Sequence, residues 1–233
     1  MWRGNAARTA VASESLPATL HLQWVREYPP LKPAFWQVRQ ERLQFDLGYE
    51  PVVMGRTLFV ASSRNDSVTA LDVETGAEKW RFYTDGPVRL APVAWEDKVF
   101  ISSDDGCLYC LNAGPGTLQW KVRGVPSSRK TLGNERLISV WPARGGPVVA
   151  DGRVYFAAGV WPFEGIFVHA LDARNGQSIW VNDALGSRYV AHPHEAMSFG
   201  GPSPQGCLLV HRGRLVVPSS RAFPAFLDLA TGE

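Results

Sequence analysis

A chain of 233 residues, 45% hydrophobic and 20% charged, holds enough apolar material for a sizeable core, and 24 Lys and Arg against 22 Asp and Glu leave a formal net charge of +2. That balance gives no basic field of the kind that drives binding to nucleic acid or to an anionic membrane. No apolar run reaches the roughly 18 residues of a membrane-spanning helix, and three cysteines, Cys107, Cys110 and Cys207, are too few and too odd in number for a disulfide framework.

The N-terminal stretch "MWRGNAARTAVASESLP" lacks the charged-then-apolar layout of a signal peptide. It reads as the middle of a segment, and the chain also stops inside a motif, so a fragment of a longer protein is expected. Residues 1–48 form a lead-in. Within it "LHLQWVRE" repeats the "LQW" of Leu118 to Trp120, which predicts a strand over residues 20–26 able to close the last unit of a ring. From residue 49 the chain is strand-like. "TLFVAS", "SVTALDV" and "AEKWRFYT" are rich in β-branched and aromatic residues and are separated by turn chemistry. Helical periodicity is absent. Four units follow at about 49–86, 87–124, 145–183 and 201–233, with insertions at 125–144 and 182–203.

The units share a phrase. "ALDVETGAEKW" from Ala70 returns as "CLNAGPGTLQW" from Cys110 and "ALDARNGQSIW" from Ala170, and "FLDLATGE" begins it again at Phe226. The marker positions Asp72, Asn112, Asp172 and Asp228 are 40, 60 and 56 residues apart, a basic period of about 40 that fits propeller blades. In this phrase Asp72 or Asp172 accepts hydrogen bonds from its own turn, and Gly76, Gly116 or Gly176 takes a left-handed conformation. The tryptophan four residues later, Trp80, Trp120 or Trp180, is placed to dock one unit on the next, since a small sheet cannot bury its own faces. Loss of such a ring from a core costs about 3 to 5 kcal/mol.

The phrase resembles the tryptophan-docking motif of the pyrroloquinoline-quinone-like (PQQ-like) β-propeller repeat, quinoprotein-dehydrogenase-like. "ALDVETGAEKW" matches every specified position, "ALDARNGQSIW" departs only at Asn175, and "CLNAGPGTLQW" keeps Gly116 and Trp120. The resemblance implies an all-β fold of four-stranded antiparallel blades, about four of them here in a partial or open ring, a closed ring of four being the lesser alternative. It also implies export to the periplasm. The family holds both enzymes and scaffolds. Its dehydrogenases use the quinone on a tryptophan beneath a disulfide of adjacent cysteines, with Ca2+ held by Glu and Asn and an Asp base.

No adjacent cysteine pair occurs in this chain. Cys107 and Cys110 are three apart in an expected strand and point to opposite faces. His192, His194 and Glu195 in "HPHEAM" are the one cluster with metal-like composition, with a plain loop as the preferred reading, so no metal and no cofactor is expected. The acidic stretches "SSDDG" and "SSRND" are read as hairpin turns. Trp141, Trp161 and Phe163 lie outside the repeat phrase; buried packing is the preferred reading, and the alternative is a loop at one end of the ring that meets a ligand or partner. The expected function is a non-catalytic scaffold or binding module that takes a protein or small ligand through loops on one face. The alternative is the N-terminal part of a PQQ-dependent dehydrogenase, with quinone and Ca2+ residues in missing blades.

Overall fold

The computed structural model describes residues 1–35, 46–191, 195–219 and 222–233. The fold is all-β. The first blade is the antiparallel meander β1 (Val52–Met54), β2 (Thr57–Ser62), β3 (Ser67–Asp72) and β4 (Glu78–Tyr83). The second repeats it with β5 (Val93–Trp95), β6 (Lys98–Ser102), β7 (Cys107–Asn112) and β8 (Leu118–Arg123). A hairpin of β9 (Lys130–Gly133) and β10 (Arg136–Ser139) fills the first insertion. The third blade is β11 (Gly145–Ala150), β12 (Arg153–Ala158), β13 (Phe167–Asp172) and β14 (Ser178–Asn182). The second insertion carries a hairpin of β15 (Tyr189–Ala191) and β16 (Met197–Phe199). Next, β17 (Gly206–Cys207) runs parallel beside β11. The fourth blade has three described strands, β18 (Leu209–His211), β19 (Arg214–Val217) and β20 (Ala225–Asp228).

The sequence periodicity explains the layering. Middle strands such as β6 are buried along their whole length, while the outer strand β8 alternates between exposed and partly buried positions, as expected where a middle strand meets neighbours on both faces. Between the first and second blades Phe59, Val68 and Ala70 pack with Val99, Ile101 and Leu111. Between the second and third, Phe100, Leu108 and Cys110 meet Val154, Phe156 and Leu171. Between the third and fourth, Tyr155, Val168 and Ala170 meet Leu215, Val217 and Leu227. Cys107 joins the first layer and Cys110 the second, the strand alternation that separates residues three apart.

The stretch Leu20 to Arg26 carries no strand assignment. It is tied to the first blade by side chains, through Trp24 and Arg26, and not to a ladder partner among the described residues.

Candidate functional site

Each blade has two ends. At one end lie the turns at Asp72, Asn112, Asp172 and Asp228. In the first, the Oδ1 of Asp72 accepts from the amides of Glu74 and Thr75 at 3.0 and 3.1 Å, and the Gly76 amide donates to the Asp72 carbonyl at 2.9 Å. The Asp172 and Asp228 turns repeat this arrangement. Asn112 keeps the backbone bond from Gly116 and accepts from Gly114 instead.

Against these turns the tryptophans sit in one repeated geometry. The Trp80 indole donates Nε1 to the Ala113 carbonyl at 3.0 Å, Trp120 to Arg174 at 3.3 Å, and Trp180 to Leu229 at 3.0 Å. Each ring covers the glycine of the following blade's turn. A Cβ on Gly116, Gly176 or Gly232 would come within 2.4, 2.8 and 2.6 Å of Trp80, Trp120 and Trp180. On its other side each indole meets an aromatic of its own blade, Phe59, Phe100 or Tyr155, with centroids 5.7 to 5.9 Å apart. Trp24 does the same to the first blade, donating to the Val73 carbonyl at 2.8 Å with its ring over Gly76.

The opposite end gathers the β2–β3, β6–β7 and β12–β13 loops together with both insertions. The β12–β13 loop, Gly159 to Ile166, is braced on two sides. Arg129 of the first insertion pairs with Glu164 at 3.0 Å, and Gly186 of the second lies so close to the Pro162 carbonyl that a Cβ would come within 2.5 Å. On this loop Trp161 and Phe163 stack at 6.0 Å while remaining 51% and 67% exposed. Trp141 differs from them: it is 8% exposed, packs edge-on to Phe167 and donates Nε1 to the Glu164 carbonyl at 2.6 Å. It supports the loop from beneath and is not part of its exposed surface. Two further exposed apolar pairs share this end, Leu132 opposite Leu137 on the first hairpin and Tyr189 against Phe199 on the second.

Below these loops lies a buried ionic cluster. Asp104, 1% exposed, receives Nε of Arg89 at 2.6 Å and both Nε and Nη2 of Arg144 at 3.0 Å. Arg89 also donates to Asp46 and to the Lys32 carbonyl, each at 2.7 Å. Burial disfavours the charge on Asp104, but Arg144 and Arg89 outweigh it and hold the carboxyl below the usual carboxylate range. Asp105, its neighbour, does what a turn residue does and caps the Cys107 amide at 3.0 Å. In the β2–β3 loop Asp66 has left-handed backbone and pairs with Arg136 of the first insertion.

Of the metal-like cluster, His192 and His194 lie outside the described residues. Glu195 has a left-handed φ of 63°. Among the described residues no group of three or more His, Cys, Asp or Glu is placed to hold a metal ion. Burial pushes the thiols of Cys107 and Cys110 up to about 12 and that of Cys207 up to about 11, the behaviour of packing residues.

The model of the family described as outer membrane protein assembly factor BamB matches residues 30–180. The chain belongs to this family of PQQ-like propellers. Among curated PQQ-like relatives, the "Alcohol dehydrogenase (quinone), dehydrogenase subunit" of Gluconobacter oxydans (strain 621H) is 29% identical over 142 residues, which cover 56% of this chain and 18% of that protein. A polyvinylalcohol dehydrogenase of a Pseudomonas species is 27% identical over 165 residues, covering 70% of this chain and 22% of that protein. The chain thus spans less than a quarter of the length of these relatives. The crystal structure of BamB from Moraxella catarrhalis superposes with a TM-score of 0.58 at 20% identity, over 79% of this chain and 49% of that one, a likeness of fold.

Proposed function

We propose that this PQQ-like propeller is a non-catalytic binding module that takes a protein partner or small ligand through the loops at one end of its blades. One observation carries the reading. Trp161 and Phe163 are stacked, half or more exposed, on a loop held on one side by Arg129 and on the other by Gly186. Aromatic side chains that stay in water on a rigid support are the residues that dominate interface energies. Export across the inner membrane belongs to the same proposal and draws support from the outer-membrane role named in the family's description.

The second reading, part of a PQQ-dependent dehydrogenase, is favoured by the names of the curated relatives. The described residues do not fit that cofactor set: no acid or histidine cluster is placed for a metal, and Cys107 and Cys110 belong to different core layers.

A displayed peptide library panned on the chain tests the first reading. Selected peptides are expected to lose about 30-fold or more in affinity for Trp161→Ser combined with Phe163→Ser, the loss of a hot spot of about 2 kcal/mol. Binders indifferent to both substitutions, or no binders, would contradict it. Alcohol-dependent dye reduction on addition of PQQ and Ca2+ would establish the second reading.

A further inference from the structure

One position of the repeated turn changes its chemistry from unit to unit. The residue before the turn glycine is Thr75 in the first unit, Pro115 in the second and Thr231 in the fourth, but in the third it is Asn175, followed by Gly176. Asn175–Gly176 is the single Asn-Gly pair among the 233 residues, and each of the other five asparagines precedes a residue that carries a side chain. The pairing matters because a backbone nitrogen can attack the side-chain carbonyl of the asparagine before it, and glycine, having no Cβ, leaves that nitrogen unshielded.

The turn both prepares Asn175 for this reaction and holds it back. The residue is exposed. Its Oδ1 accepts from the Gln177 amide at 2.9 Å, a hydrogen bond that draws electron density from the side-chain carbonyl and stabilises its oxygen as negative charge develops there. Its Nδ2 has no hydrogen-bond partner among the described residues, so nothing in the turn retains the leaving nitrogen. The attacking nitrogen is the restrained one. The Gly176 amide donates to the Asp172 carbonyl at 2.9 Å, and Trp120 covers the glycine so closely that a Cβ would come within 2.8 Å of its ring. The Trp120 indole bond to the Arg174 carbonyl, at 3.3 Å, is longer than the 3.0 Å bonds of Trp80 and Trp180.

We propose that Asn175 is a site of spontaneous deamidation in the folded chain, gated by the docking of Trp120. When the joint between the second and third blades opens, the Gly176 nitrogen gives up its proton and bonds to Cγ of Asn175. The Cγ–Nδ2 bond breaks, ammonia leaves with that proton, and a succinimide remains. Water then adds to one of the two ring carbonyls and yields aspartate or isoaspartate at position 175, with no change of oxidation state. Isoaspartate lengthens the main chain by a methylene between Asp172 and Gly176, so the Asp172 carbonyl, the Gly176 amide and the Trp120 ring can no longer all keep their places. Each conversion therefore leaves this joint looser than before.

Incubation of the 233-residue chain in mildly alkaline buffer, followed by peptide mass spectrometry, tests this. The peptide holding Asn175 is expected to gain about 1 Da and to divide into two isomers, while Asn5, Asn65, Asn112, Asn134 and Asn182 keep their amides over the same time. Unfolding in guanidinium is expected to speed the conversion. Trp120→Phe is expected to speed it about 10-fold, because losing the indole hydrogen bond and part of the ring raises the open population. Trp80→Phe makes the same change at another joint and is expected to leave the rate within about 2-fold; both variants keep a ring in place and so a folded chain. Asn175→Thr, the residue of the first and fourth turns, is expected to remove the mass change. An amide that survives in the folded chain while the unfolded chain converts would overturn the proposal. So would equal rates with and without guanidinium, or equal acceleration by Trp80→Phe and Trp120→Phe.

Discussion

Replacing Gly116 with alanine separates the two roles that the repeat glycine plays. Gly116 has φ of +73°, and Gly152, in a hairpin turn of the third blade, has φ of +71°. Their backbones are alike, but their surroundings are not. A Cβ at Gly152 meets nothing within 4 Å, whereas at Gly116 it meets the Trp80 ring at 2.4 Å. The left-handed conformation costs an L-residue about 1–2 kcal/mol, and both Gly116→Ala and Gly152→Ala incur it. Gly116→Ala adds a displaced indole, at about 1–3 kcal/mol for overpacking, because the ring is held between the glycine, Phe59 and the Ala113 carbonyl. Urea unfolding is expected to show the Gly116 variant less stable than the Gly152 variant by that second amount. In a Trp80→Ala background the excess is expected to vanish, a coupling that a double-mutant cycle measures directly. Equal losses at the two glycines, or no coupling to Trp80, would refute the contact between blades.

Asp104→Asn keeps the shape of the buried cluster and removes its central charge, leaving Arg89 with Asp46 and, among the described residues, Arg144 without a carboxylate. The expected loss is about 3–5 kcal/mol, read from the urea midpoint. His169 is buried, stacks on Phe156 at 4.8 Å, and donates from Nε2 to the Gly124 carbonyl at 2.9 Å. Burial holds its pKa below the ordinary 6.5, against the opposing pull of that carbonyl. Below pH 6.5 the unfolded chain therefore takes up a proton that the folded chain refuses. Its contribution to stability is complete above pH 6.5 and falls as the pH drops through the window beneath it, and His169→Gln is expected to flatten that part of the pH profile of unfolding. The thiols of Cys107 and Cys110 are expected to stay silent toward a thiol reagent at pH 8 in the folded chain, since both are buried and titrate near 12, and to react on unfolding.

The repeated turn was legible because its chemistry is local. A carboxylate that caps amides two and three residues on, a glycine at positive φ and an indole four residues later all fall within one short window, and each recurrence restates the same requirement. The loop aromatics Trp161 and Phe163 were legible as departures from that pattern. The charge cluster was not. Asp104 reads as one half of an acidic turn until the fold brings Arg144, 40 residues away, against it. Nor does the sequence separate Trp141 from Trp161, since each precedes a proline in a loop, and it is the Glu164 carbonyl, Phe167 and the core between the second and third blades that hold Trp141 inside. The exposed pair Tyr189 and Phe199 flanks the histidine-containing stretch, whose composition drew attention to metals and away from the hairpin that holds the two rings. The stretch around "LQW" at Leu22 to Trp24, expected as a strand from its likeness to β8, carries no strand assignment, and its contact with the first blade is made by the Trp24 side chain over Gly76.

The most direct test of the architecture is the NMR chemical shift of the glycine α-protons. Gly76, Gly116, Gly176 and Gly232 each lie against the face of an indole, those of Trp24, Trp80, Trp120 and Trp180, while Gly55, Gly152 and Gly213 have the same left-handed backbone with nothing within 4 Å. The account predicts upfield ring-current shifts for the α-protons of the first four, each abolished by leucine at its own tryptophan, and none for the other three. Unshifted resonances at Gly116 and Gly176 would contradict it, because those two glycines lie at the joints between the three complete blades.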